Sequence, residues 1–129
     1  MEVLIDTSIW IDYFRGGGNS EEMDFLVDEN LIVTNELILA ELLPFIIVKK
    51  EVRLANLLQS INIKSLSIRW DEIIEYQVRC LENGVNGIGI PDLIIAQNAI
   101  QNDSKIYALD KHFRLLGEVL GVQLYKKQG

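Results

Sequence analysis

The chain has 129 residues, of which 49% are hydrophobic and 24% charged, and its formal net charge is −7. This length predicts a single domain over residues 1–129 with a hydrophobic core, and this composition excludes a disordered or fibrous protein. The acidity disfavours a nucleic-acid-binding protein that depends on basic side chains, because such side chains supply most of the affinity for phosphates. The only cysteine, Cys80, excludes an internal disulfide and a thiolate metal cluster.

Strands and helices alternate along the chain. The hydrophobic pattern predicts a strand at residues 3–5, a helix at 9–14, an acidic helix from 20, a strand at 31–33 and a helix through 39–43. It then predicts a basic amphipathic helix to about residue 59, a strand at 61–66, helices at 70–81 and 92–100, and strands at 105–109 and 122–125. We expect Thr7 or Ser8 to cap the first helix and Thr34 to cap the third, and Pro44 to interrupt the helix that contains it.

The predicted strands are apolar almost throughout, which is typical of parallel sheets that helices cover on both faces. We therefore expect a three-layer α/β/α domain with a central parallel sheet of four to five strands. In such folds the ligand site lies beyond the carboxyl ends of the strands, near the point where the strand order reverses. The residues at those ends are the first candidates for function.

The N-terminal sequence lacks the basic segment and long apolar stretch of a secretory signal. The longest apolar run, residues 38–48, contains Glu41 and Pro44 and is shorter than the roughly 20 apolar residues that a membrane helix requires. We expect a soluble, cytoplasmic protein without membrane contact.

Four acidic residues lie in apolar surroundings. Asp6 directly follows the first predicted strand and Asp110 the fourth, so parallel strands would bring both to one edge of the sheet. Asp92 lies in the first turn of a helix, where free backbone N–H groups favour a negative charge. Glu41 lies in a helix with few polar neighbours. The pattern predicts that these carboxylates share one site.

Each of these acids alone has an ordinary structural explanation, such as a helix cap. Together they need a counter-charge, because burying one unpaired charge costs several kcal/mol and a domain is stable by only about 5 to 15 kcal/mol. Oxygen ligands without histidine or cysteine favour Mg²⁺ or Mn²⁺. Such ions would offset the acidity and activate water, which favours hydrolysis of a phosphodiester to 5′-phosphate and 3′-hydroxyl products.

These residues also carry a resemblance to the PIN-domain family, and within it to VapC-type toxins. The matching segments are, in order, residues 6–11, 40–42, 91–96 and 109–113. Any one of them has low specificity, whereas the ordered set spans nearly the whole chain. The resemblance implies a metal-dependent endoribonuclease that is the toxin of a bacterial or archaeal toxin–antitoxin pair.

The resemblance also implies roles for individual residues. The acids that would hold Mg²⁺ or Mn²⁺ are Asp6, Glu41, Asp92 and Asp110. Thr7 or Ser8 would support the first carboxylate. The implied partners are an RNA substrate and a VapB-like antitoxin. The apolar segment 43–58 offers more apolar surface than a small monomer normally exposes, so we also expect a homodimer. The chain departs from the family pattern at Ala108, where relatives often have threonine, and at residues 43–49, which are unusually apolar.

Other functions fit parts of the pattern. A phosphate-accepting receiver domain has a similar sheet and magnesium pocket, but it needs adjacent acids after its first strand, and Asp6 is followed by Thr7. It also needs a lysine after a late strand, where this chain has Asp110. A phosphatase with an Asp-x-Asp motif is disfavoured because Ser8 takes the second position. The non-enzymatic alternative is a PIN-like binding module with a degenerate site, which Ala108 leaves open.

Other polar and aromatic residues near these motifs are interpreted as structural. His112 is expected to be a capping or surface residue, and Trp10 a core residue. Arg15, Lys111 and Arg114 are the basic residues nearest the proposed site, where they could contact phosphates, with solvated surface as the default interpretation.

Overall fold

The structure is a computed structural model that describes residues 1–127. Within that range four parallel strands form one sheet, flanked by seven helices, which confirms the predicted α/β fold. The strands are Val3–Ile5 (β1), Ile32–Thr34 (β2), Asn62–Ile63 (β3) and Lys105–Tyr107 (β4). The helices are Thr7–Phe14 (α1), Ser20–Asp28 (α2), Glu36–Val48 (α3), Val52–Ser60 (α4), Trp70–Glu82 (α5), Ile90–Gln101 (α6) and Lys111–Leu120 (α7).

The strand order in the sheet is β3-β2-β1-β4. β2 and β3 follow β1 on one side of the sheet, and β4 pairs with β1 on the other side. The strand order therefore reverses at β1, which is where open α/β sheets bind their ligands. Ile5 pairs with Tyr107, and the Asp6 backbone N–H donates to the Tyr107 carbonyl oxygen at 2.9 Å. β1 and β4 thus end side by side at one edge.

The core forms where the sheet meets the helices. All three side chains of β1 are fully buried, and α3 buries Ile38, Leu42 and Ile46, which follow one another at four-residue intervals. Trp10 and Phe113 are among the largest fully buried side chains. Burial of a large apolar side chain stabilises the fold by about 1.5 to 3 kcal/mol. Among residues 1–127, no helix has both the length and the apolar character needed to cross a membrane.

The predicted helix caps are wrong. Asp6 caps α1, accepting a hydrogen bond from the Ser8 backbone N–H at 3.1 Å. Asn35 caps α3, accepting from the Ile38 backbone N–H at 2.9 Å. Thr34 is instead the buried last residue of β2. Both helices therefore begin directly at the carboxyl end of a strand, and their caps fix the polar side chains there.

The predicted interruption at Pro44 is also wrong, because α3 continues to Val48. Proline lacks the N–H that would bond the carbonyl oxygen of Ala40. Ala40 and Pro44 are both exposed, so water is available to that carbonyl oxygen. Leu42 and Ile46, on either side of the proline, remain packed in the core and hold the helix together. The predicted amphipathic helix up to residue 59 begins only at Val52, as α4.

Three strands are shorter than predicted. β3 has two residues instead of the predicted 61–66, and β4 ends at Tyr107 instead of residue 109. Residues 122–125 contribute an isolated parallel bridge between Leu124 and Ile106 instead of a strand. β3 pairs only with β2, and the backbone N–H of Leu66 donates to the Glu36 side chain at 2.8 Å instead of extending the strand.

Helix α7 was not predicted at all, although its signals are present in the sequence. Asp110 caps it by accepting from the His112 backbone N–H at 2.9 Å. Phe113 and Leu116 face the core. Gly121 ends the helix with a φ of +79°, a left-handed conformation that glycine adopts most easily. The helix matters because it begins with one of the four acids.

Candidate active site

Each of the four acids is positioned by a different element. Asp6 connects β1 to α1, Glu41 lies in the middle of α3, Asp92 lies in the first turn of α6, and Asp110 caps α7. Asp110 does not directly follow its strand as predicted, because residues 108–109 separate it from β4. The positions of Asp6 and Asp92 agree with the prediction.

Asp6 is held by Ser8. The whole residue is only 8% exposed. Its Oδ2 atom accepts hydrogen bonds from the Ser8 hydroxyl at 2.6 Å and from the Ser8 backbone N–H at 3.1 Å. The Ser8 hydroxyl in turn accepts from the Leu109 backbone N–H at 3.1 Å. Ser8 therefore fixes the carboxylate after β1 to the segment that follows β4.

Glu41 is held by Thr7, the residue between Asp6 and Ser8. The Thr7 hydroxyl donates to Glu41 Oε1 at 3.1 Å, which connects the start of α1 to the middle of α3. Partial desolvation raises the pKa of Glu41 although the residue is exposed overall, the Thr7 hydrogen bond opposes this shift, and the charges of Asp6 and Asp92 raise the pKa further. Glu41 therefore lies within electrostatic range of two of the other acids.

Asp92 and Asp110 face each other across His112. His112 Nδ1 lies 3.1 Å from Asp92 Oδ2 and 3.5 Å from Asp110 Oδ1. Burial raises the pKa of Asp92, contact with His112 opposes the shift, and the charges of Asp110 and Asp6 raise the pKa further. The structure thus brings all four predicted acids into one neighbourhood and adds a histidine.

The sequence prediction gave His112 no role in the site. A local signal was available, because a residue two positions after a helix cap donates its backbone N–H to the cap carboxylate. The imidazole of His112 therefore begins next to Asp110, and the approach of α6 brings Asp92 to the same place.

A buried hydrogen bond joins the two helices that carry Glu41 and Asp92. The Asn35 side-chain amide donates to Asn98 Oδ1 at 3.0 Å, and the Asn98 amide donates to the Lys64 carbonyl oxygen at 2.9 Å. Asn35 caps α3 six residues before Glu41, and Asn98 lies in α6 six residues after Asp92. Because both side chains are buried, this pair fixes the distance between α3 and α6.

Basic residues flank the acids on two sides. Lys111 and Arg114 line a cavity of about 200 Å³ together with Asp110. Arg15 lines a second cavity, of about 400 Å³, together with Glu41. The acidic site therefore opens onto two concave surfaces, each of which includes a positive charge.

The donor atoms of the site fit a divalent cation. The charges of neighbouring acids raise the pKa of Glu41 and of Asp92, so a positive ion among these carboxylates would relieve an unfavourable charge interaction. One donor atom each from Asp92, Asp110 and His112 lies within 4.8 Å of the other two. Carboxylate oxygens are the ligands that Mg²⁺ and Mn²⁺ prefer, and these residues can supply them.

Residues 3–119 of the chain match the family described as PIN domain. The chain belongs to the PIN domain family. The match covers the elements from β1 to α7 and includes the four acids. Membership of this family disfavours the receiver and phosphatase alternatives. Among curated protein sequences, none matches the chain.

Solved structures show the same PIN fold. VapBC2 from Rickettsia felis, bound to a DNA fragment from its promoter, has a chain that is 21% identical, with a TM-score of 0.73 and coverage of 97% of this chain and 98% of that chain. VapBC-1 from nontypeable Haemophilus influenzae gives 19% identity, a TM-score of 0.72 and coverage of 98% of each chain. FitAcB from Neisseria gonorrhoeae gives 16% identity, a TM-score of 0.69 and coverage of 96% of each chain.

Proposed function

We propose that this PIN domain is a divalent-metal-dependent endoribonuclease and the toxin of a toxin–antitoxin pair. The observation that carries the proposal is the convergence of Asp6, Glu41, Asp92 and Asp110 at the point where the strand order reverses. Membership of the PIN domain family supports the nuclease activity. The similarity in fold to chains of VapBC and FitAcB supports the role as a toxin. RNA as substrate and a protein antitoxin as partner imply that it acts in the cytoplasm.

The proposed metal ligands are the four carboxylates, and the proposed ion is Mg²⁺ or Mn²⁺. When bound, such an ion makes water a better nucleophile and stabilises charge on the phosphodiester. The chain holds Asp6 through Ser8 and Glu41 through Thr7, so neither carboxylate needs to be ordered when substrate arrives. Lys111 and Arg114 provide positive charge beside Asp110, where the RNA backbone would bind.

A cleavage assay tests the nuclease proposal. Purified protein is incubated with single-stranded RNA in Mg²⁺, in Mn²⁺ and in chelator, and the product ends are analysed. We expect cleavage only with the ions, and 5′-phosphate with 3′-hydroxyl ends. Binding of RNA without cleavage in either ion would instead support the PIN-like binding module.

We propose that the antitoxin binds in the apolar groove formed by α1, α3 and α4. This groove is the cavity of about 400 Å³ that Glu41 borders, and its apolar lining includes Phe14, Phe45 and Leu54. Phe45 is 59% exposed and lines the groove next to other apolar side chains, and contiguous apolar surface of this kind often binds a protein partner. An amphipathic helix of the antitoxin fits such a groove, and a basic side chain on that helix would reach Glu41 and compete with the ion.

A pair of variants tests this surface. Phe45→Ser removes an aromatic side chain from the groove, whereas Val48→Ser removes a more exposed apolar side chain that does not line it. With a co-encoded antitoxin, we expect Phe45→Ser to escape inhibition and Val48→Ser to remain inhibited. Equal inhibition of both variants would place the antitoxin elsewhere.

We propose that the homodimer forms through α5 and not through the apolar segment 43–58. Trp70, Ile74, Val78 and Leu81 form an exposed stripe along one face of this helix. Two copies related by a twofold axis would pack these stripes antiparallel, which sets Trp70 of one copy near Leu81 of the other. Ile74→Asp should give a monomer in sedimentation at micromolar concentration, while Phe45→Ser stays dimeric. A wild-type monomer would contradict the dimer.

A further inference from the structure

The side chain of His112 offers a nitrogen atom close to two of the four acids, Asp92 and Asp110. Nδ1 lies 3.1 Å from Asp92 Oδ2 and 3.5 Å from Asp110 Oδ1. The His112 backbone N–H also donates to Asp110 at 2.9 Å, so the imidazole projects from a helix turn that is already fixed. The nitrogen is therefore held in place by the fold and is close to two of the proposed ligands.

These distances, which include a hydrogen bond between His112 and Asp92 in the ion-free protein, are also compatible with atoms that share an ion. Donor atoms that bind an octahedral ion at ~2.1 Å lie about 3.0 Å apart along each edge of the octahedron. The separation of 3.1 Å between His112 and Asp92 is close to that value, and the separation of 3.5 Å to Asp110 differs from it by a small side-chain movement. The Asp110 side chain is exposed, and its Oδ1 atom also accepts the His112 backbone N–H at 2.9 Å.

We propose that His112 is a nitrogen ligand of the divalent ion, and that this ligand makes the site prefer first-row transition-metal ions over Mg²⁺. The inference rests on the proposed function, because it assumes an ion held by Asp92 and Asp110. Imidazole binds transition metals well, whereas Mg²⁺ prefers oxygen ligands and keeps several of its waters. The sequence-based expectation of Mg²⁺ or Mn²⁺ assumed that histidine is absent from the site. With His112 present, Mn²⁺ and Co²⁺ are favoured.

A different role for His112 predicts a different result. If the imidazole only neutralises Asp92 and Asp110 in the metal-free protein, then an ion entering the site displaces it. In that case no bond between nitrogen and metal forms, and replacing His112 strengthens the binding of every divalent ion equally.

The chain has a single histidine, which allows a direct test. Tag-free protein is loaded with Mn²⁺ in a buffer without imidazole, and pulsed electron paramagnetic resonance is used to detect coupling of the ion to ¹⁴N. We expect this coupling in the wild type and in Lys111→Gln, which changes the neighbouring exposed residue, and its loss in His112→Gln. Its absence from the wild type, or its persistence in His112→Gln, would overturn the inference.

Calorimetry gives a second, independent measurement. We expect His112→Gln to weaken Mn²⁺ binding roughly 10- to 100-fold and to change Mg²⁺ binding only a few-fold. An equal change for both ions contradicts the inference. His112→Asn serves as a second replacement, and far-UV circular dichroism checks the fold of both. Neither measurement uses RNA, so nitrogen coupling without RNA cleavage would reject the proposed function and keep this inference, and cleavage without coupling would do the reverse.

Discussion

The two sides of the acidic site are built differently. On the side of β1 and β4, Asp6 is almost buried, and Ser8 ties it to the backbone of the opposite strand end. On the side of α3, Glu41 is exposed, and its carboxylate accepts a hydrogen bond from the Thr7 hydroxyl at the protein surface. The first side resembles a preformed ion site, and the second borders the apolar groove. Under the proposed function, we expect Asp6 to hold the ion directly, whereas Glu41 borders the groove proposed for the antitoxin.

The strongest test of this comparison replaces one carboxylate from each side. Asp6→Asn should lower RNA cleavage roughly 1000-fold, because it removes a fixed ligand of the ion that stabilises the reacting centre. Glu41→Gln should lower cleavage about 10- to 100-fold, because its carboxylate is exposed and water can replace it as an oxygen ligand. Initial rates at saturating metal give both values. Equal losses would mean that the two sides function alike.

The hydroxyl groups that hold the two acids give a second test. Ser8→Ala removes the bonds to Asp6 and to Leu109, and we expect a loss of activity of roughly 10- to 100-fold. Thr7→Val should lower the RNA-cleavage activity only a few-fold. Ser60→Ala, a remote exposed serine, is the control and should be unchanged. A larger loss of activity in Thr7→Val than in Ser8→Ala would mean that the Glu41 carboxylate depends more on its hydroxyl partner than the Asp6 carboxylate does.

The buried pair of asparagines is expected to matter for stability. Asn98→Ala leaves the Asn35 amide without its acceptor in the core, which should lower the free energy of unfolding by about 1 to 3 kcal/mol. Asn102→Ala removes a side-chain hydrogen bond at a half-buried position of the same region and should cost less. Urea denaturation measures both. Equal losses of unfolding free energy in the two variants would indicate that the hydrogen bond between Asn35 and Asn98 stabilises the protein no more than the Asn102 hydrogen bond.

The smallest expected effect concerns the charge of Asp92 without metal. Its folded pKa is raised by burial and by Asp110 and Asp6, so ionisation opposes folding. This penalty is absent below the unfolded pKa of about 3.9 and grows as the pH rises through the folded pKa. Asp92→Asn should therefore stabilise the protein in chelator at neutral pH, and the gain should vanish near the unfolded pKa.

Saturating Mg²⁺ should shrink or reverse this difference, because the wild type gains binding free energy that Asp92→Asn partly loses. Thermal melts in chelator and in excess Mg²⁺ measure both effects. A lower melting temperature of Asp92→Asn in chelator, or an equal shift of both proteins by Mg²⁺, would identify Asp92 as a structural cap.

The predictable parts of this molecule are those that depend on neighbouring residues. The apolar run of β1 predicts both the strand and the position of Asp6 at its end. Pro91 predicts the start of α6, and with it the place of Asp92 in the first turn. The periodicity of α5 gives its bounds to within one residue. Each of these signals lies within a few positions of the feature that it predicts.

The errors arise where a distant contact decides between neighbouring residues. Asp6, Thr7 and Ser8 are all good caps, and the choice of Asp6 depends on the nearby end of β4. Ala108 and Leu109 look like a continuing strand, which hides the start of α7. The continuation of α3 through Pro44 depends on exposure to solvent, and the contact between His112 and Asp92 depends on the packing of α6 against α7. None of these is a property of a local segment.

The position of β4 beside β1 also affects how the protein is made. Synthesis proceeds from the N-terminus at about 5 to 20 residues per second, so β1, β2 and β3 are complete seconds before β4. During that interval one edge of β1 has no neighbour, and the growing chain contains Asp6 and Glu41 but neither Asp110 nor His112. The site is therefore assembled only after residues 105–113 have left the ribosome. A site built in this order stays incomplete until the last of its proposed ligands has been synthesised.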